Sequence, residues 1–80
     1  MINTQMTIKE AVLKIAEEDT LTGMAAQLVL SGKQQIITFA DMIYDQYNRE
    51  GNREHLINFY GAEAIETIVC HAKESNLLTI

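Results

Sequence analysis

Proline and tryptophan are absent from this 80-residue chain, cysteine occurs once, and Lys and Arg together number six. Without proline, no helix has an obligatory break, so element ends must come from capping residues and glycine. One cysteine cannot form an internal disulfide and excludes an all-cysteine metal site, which makes a reducing cytoplasm the expected compartment. Six cations against eleven carboxylates leave a formal net charge of −5. That balance opposes direct nucleic-acid binding, which draws on Lys and Arg gathered on one face. No apolar run approaches the roughly 18 residues of a membrane span. The first residues, Met1 to Gln5, lack the basic-then-hydrophobic pattern of a secretion signal. Gly23, Gly32, Gly51 and Gly61 are scattered, so no glycine-rich phosphate loop is present.

What is present is ordinary for a folded domain: 48% hydrophobic and 21% charged residues. The length fits one domain, residues 1–80, that buries only about 60% of its unfolded surface. Isoleucine occurs ten times. Its β-branch lowers helix propensity slightly, so helices built from it depend on packing.

The periodicity predicts an all-α bundle of four to five short helices. Thr7-Ile8-Lys9-Glu10 reads as a capping box that opens a helix over about residues 8–18. Ile8, Val12 and Ile15 form its inward stripe, with Ala11 and Ala16 beside them. Glu17, Glu18 and Asp19 suit the start of a second helix, with Asp19 or Thr20 as its cap. In that helix Leu21, Met24, Ala25 and Leu28 are expected to face inward, and Ser31-Gly32 to end it. The alternative is an α+β fold with a hairpin over residues 27–39, turning at Gly32-Lys33. Helix is favoured because Met24-Ala25-Ala26-Gln27 are good helix formers and Ala-Ala serves a strand badly.

Thr38 is expected to cap the third helix, with Ile37 and Met42 as a hydrophobic staple and Lys33–Ile37 as connector. Phe39, Met42, Ile43 and Tyr47 point inward. Asp41, Asp45 and Arg49 recur at steps of four, where acid before base favours helix. Gly51 ends this helix and Asn52 caps the next. Ile57, Gly61, Ala64, Ile65, Ile68 and Ala72 make one stripe, which argues for a continuous or mildly kinked helix through Gly61. The tail, Leu77-Leu78-Thr79-Ile80, is unusually apolar for a chain end.

Catalytic chemistry finds little support in these residues. Cys70 and His71 are neighbours on a helix and do not face each other, so they form no nucleophile–base pair. Helical di-metal sites need Glu-x-x-His pairs from more than one helix, whereas His71-x-x-Glu74 has the reverse order and occurs once. Asp41 with Asp45, and Glu63 with Glu66, read as solvated faces; a Mg²⁺-dependent hydrolase would need thermal stabilisation by Mg²⁺. No enzyme activity, no metal and no cofactor is therefore expected.

Partner binding remains. The sequence points to a small acidic, non-enzymatic interaction protein. Its expected partner is a larger protein with a basic surface, such as a nucleic-acid-processing enzyme inhibited by a phage or mobile-element protein of the anti-restriction or anti-CRISPR kind. Glu10, Glu17, Glu18, Asp41, Asp45, Glu63 and Glu66 would supply the field. Tyr44 and the apolar tail residues Leu77, Leu78 and Ile80 would supply contact area. Homodimerisation through the tail is a further expectation. The alternative function is a dimeric helix-turn-helix regulator that places Arg49 and Arg53 on phosphates.

Overall fold

The computed structural model describes residues 6–78, with side chains over 6–75. Five helices follow one another: α1 (Ile8–Ala16), α2 (Leu21–Leu30), α3 (Ile36–Tyr47), α4 (Asn52–Tyr60) and α5 (Ala62–Leu78). Among the described residues there is no strand, so residues 27–39 form the end of α2, a turn and the start of α3 instead of a hairpin. Seventeen residues of α5 rise about 26 Å, nearly the whole of a molecule measuring 28 × 27 × 27 Å. The other helices pack around it, α3 and α1 most extensively, and α2 leans mainly on α1.

Local chemistry sets the helix starts. Thr7 and Glu10 form the capping box, with the Glu10 amide donating to Thr7 Oγ1 (3.1 Å) and the Thr7 amide to Glu10 Oε1 (2.8 Å). Thr20 caps α2 by accepting from the Gly23 amide at 3.0 Å. At the other end of α2 the Lys33 amide reaches Leu28 O and the Gly32 amide reaches Val29 O, the paired bonds of a Schellman stop.

Three expected features differ. Helix α3 begins at Ile36 after Gln35, before the expected cap at Thr38, and has no side-chain cap. Ile36, partly buried, packs against the core and lines a groove with Ile8, Val12 and Val29, a tertiary contact that the local Thr38 signal does not include. Gly51, in the left-handed region at φ 83°, is the N-cap of α4, and Asn52 is its first helical residue. The helix does not run through Gly61. With φ 101° and ψ 137°, Gly61 closes α4 and its carbonyl accepts the first bond of α5 from the Ile65 amide. The stripe through Gly61 fits either geometry, and the break lets Tyr60 turn inward to meet Thr20.

The core is entirely apolar among the described residues. Its largest fully buried side chains are Val12 and Ile15 of α1, Phe39 and Ile43 of α3, and Ile65 and Ile68 of α5. Helix α2 contributes only Gly23 and Ala26 as buried residues. Three of its four expected inward residues face out, with Leu21 85% exposed, Met24 55% and Leu28 42%, while Ala25 is partly buried against the core. The small residues explain the inversion. A Cβ built on Gly23 would stand 2.0 Å from the carbonyl oxygen of Glu18 and 3.1 Å from that of Ile15, so α2 lies against the α1 terminus at a distance only glycine allows.

Candidate interaction surfaces

Helices α1, α3, α4 and α5 carry their carboxylates where core packing leaves them. On α3, burial of Phe39, Ala40 and Ile43 turns Asp41 and Asp45 outward. On α5, burial of Ala64, Ile65, Ile68 and Val69 does the same for Glu63 and Glu66. Asp45 accepts from Arg49 Nη2 at 2.8 Å, the one ion pair among the described residues, and both side chains remain about two-thirds exposed. Exposed pairs of this kind contribute little to stability.

The charge is unevenly divided along the chain. Residues 1–40 hold four acids and three bases, a balance of −1, and residues 41–80 hold seven acids and three bases, a balance of −4. All seven acids of the second half are exposed. In the first half Glu10, Glu17 and Asp19 are exposed and Glu18 is half-buried. The excess anion therefore sits on α3, α4, α5 and their connections.

Tyr44 lies at the core margin. It is half-buried and packs against the core, so it offers less free area than its position off the Phe39–Ile43 stripe predicts. Leu77 and Leu78 fall in the last turn of α5 with their side chains outside the described part, and Ile80 lies outside the described residues altogether. The structure thus brings together Asp41 and Asp45 on one helix, and Glu63 and Glu66 on the helix packed against it. Both arginines of the second half are engaged: Arg49 with Asp45, and Arg53 with its guanidinium 5.4 Å from the centroid of the Tyr47 ring.

Among the hollows on the surface of the described residues, two touch the residues discussed above. One, of about 300 Å³, lies between the start of α1, the end of α2 and the start of α3, lined by Ile8, Lys9, Val12, Val29, Leu30 and Ile36. The other, of about 280 Å³, is lined by Met6, Glu66, Thr67 and Cys70. Exposed Cys70 has no neighbouring base in that lining. Among the described residues no three His, Cys, Asp or Glu side chains gather as metal ligands, and no helix is long and apolar enough to cross a membrane.

The surface that sequence reading missed is the outward face of α2. Leu21, Met24 and Leu28 fall within one arc of the helix, and no charged side chain occurs from Thr20 to Gly32. The available signal was that α2 is uncharged on every side and polar only at Thr22 and Gln27, so no charged face marks which side is outward. The small-residue face, Gly23 and Ala26, identifies which side touches α1.

Compared with known proteins, the chain matches no family model, no curated sequence and no solved structure.

Proposed function

We propose that this protein is a non-enzymatic interaction protein whose acidic side, built from α3 to α5, binds a basic surface on a larger protein. The observation that carries the reading is the second-half balance of −4 on seven exposed carboxylates, of which only Asp45 is ion-paired. Unpaired surface carboxylates stay hydrated in the free protein and steer an oppositely charged partner into contact. A basic surface of that kind is what a nucleic-acid-processing enzyme presents to phosphates. The protein then acts as an inhibitor occupying that surface, in the manner of phage or mobile-element proteins that block restriction or CRISPR enzymes. The reading places it in the cytoplasm, where such enzymes work.

The regulator alternative requires Arg49 and Arg53 on phosphates. Their present partners, Asp45 and the Tyr47 ring, would have to be given up first.

The test is capture from a host lysate with the intact chain and with Asp41→Lys/Glu63→Lys/Glu66→Lys, followed by nuclease assays on the captured protein. The expected result is a basic protein retained by the parent, released as salt rises, and lost by at least tenfold in the variant. Equal recovery by both chains, or steeply salt-dependent affinity for duplex DNA in place of a protein partner, would overturn the proposal.

A further inference from the structure

We propose that the outward face of α2 is a homodimer interface in which two copies of this helix pair antiparallel about a two-fold axis near Met24. The acidic side and its partner are not involved, so this inference stands apart from the preceding one.

Three observations converge. The face is apolar and uncovered, with Leu21, Met24 and Leu28 at 85%, 55% and 42% exposure. It is uncharged from Thr20 to Gly32 and belongs to the half of the chain with a balance of only −1, so two copies meet there with little of the repulsion their net charge of −5 each would otherwise cause. Its two ends are complementary to each other: the exposed acids Glu17 and Asp19 precede the helix, and exposed Lys33 follows it.

Complementary ends on one helix select a second copy as occupant. A two-fold pairing applies the same patch to itself, so residue i meets j and j meets i. With the axis between positions 24 and 25, Leu21 of one copy lies beside Leu28 of the other. The same two-fold sets the turn that carries Glu17 and Asp19 at the start of one helix beside the turn that carries Lys33 at the end of the other. Helix dipoles run oppositely in this arrangement, which also favours it. A parallel pairing would instead place acid on acid and Lys33 on Lys33.

The contact is small. A ten-residue helix is about 15 Å long, and the pair falls short of the roughly 800 Å² per partner of a standard interface. The dimer is therefore concentration-dependent.

Sedimentation velocity on the full chain across a concentration series reads the mass directly. Dimer formation is expected in the parent, weakened at least tenfold by Leu21→Glu/Leu28→Glu, with circular dichroism confirming that the variant is folded. Lys33→Glu should also weaken it, and adding Glu17→Lys/Asp19→Lys to that change should restore it. Orientation is read by oxidation in a Cys70→Ser background, where Met24→Cys should cross-link between copies much faster than Leu21→Cys. A parent that remains monomeric to millimolar concentration, or a dimer untouched by the α2 substitutions, would overturn the proposal. Faster cross-linking at Leu21→Cys would overturn the antiparallel arrangement.

Discussion

At the scale of single residues, Thr20 ties the start of α2 to the end of α4. Thr20 Oγ1 serves twice: it caps α2 and lies 2.7 Å from the Tyr60 hydroxyl at the end of α4. Tyr60→Phe removes only the second bond and should cost about 0.5–1.5 kcal/mol in urea denaturation. Thr20→Ala removes both and should cost more, with the cap alone accounting for about 1 kcal/mol. The double variant should then lose less than the two single losses combined, which a double-mutant cycle would show. Gly23→Ala gains about 1 kcal/mol of helix propensity, yet its Cβ meets backbone at the Glu18 carbonyl, so net destabilisation is the expected outcome. The Thr7–Glu10 box was legible because its partners are three residues apart. The Thr20–Tyr60 bond spans forty residues and leaves no local pattern.

At the scale of elements, α2 is unusual in burying its smallest side chains and exposing its largest. Leu21→Ser should leave monomer stability within about 0.5 kcal/mol, as for other exposed positions. Ala26→Leu, by contrast, inserts volume into the fully buried α1–α2 contact and should cost about 1–3 kcal/mol. Thermal denaturation of both variants, at a concentration low enough to keep the chain monomeric, checks the inversion. Legibility followed the same division. In α1, α3 and α5 the apolar stripe is bounded by charge, and Val12, Ile15, Phe39, Ile43, Ile65 and Ile68 are buried as their periodicity predicts. In α2 no charge marks the outer side, so two stripes competed and size favoured the wrong one. Helix α3 shows another limit: Thr38 is a good local cap, but the helix starts sooner, at Ile36, whose partial burial against the core is a tertiary contact with no local pattern.

Taken whole, the molecule separates its two kinds of surface. Net negative charge is greater on α3 to α5, and the most exposed apolar side chains, Leu21 and Met24, lie on α2, with Leu13 of α1 and Phe59 of α4 exposed singly. The acidic residues Asp41, Asp45, Glu63 and Glu66 were identifiable as outward-facing from spacing alone, because each helix with a buried stripe has a known opposite side. The α2 face was not, since it depends on how closely α1 approaches. Folding should be simple at this scale. With five short helices and no proline, refolding from denaturant is expected to complete in milliseconds or faster, without a prolyl phase of tens of seconds. Stopped-flow fluorescence of the tyrosines would record a slow phase if one existed.

Because Gly61 alone separates α4 from α5, the chain has no slack at that point. Inserting one residue at the start of the first turn of α5 would rotate everything after it by about 100°, carrying Ile65 and Val69 onto the exposed sites now held by Glu66 and Cys70, and Thr67 and His71 onto the buried sites of Ile68 and Ala72. The turn over residues 48–51 has no such constraint at its exposed tip. Length variation in proteins descended from the same ancestor should therefore collect between α3 and α4 and spare the junction at Gly61.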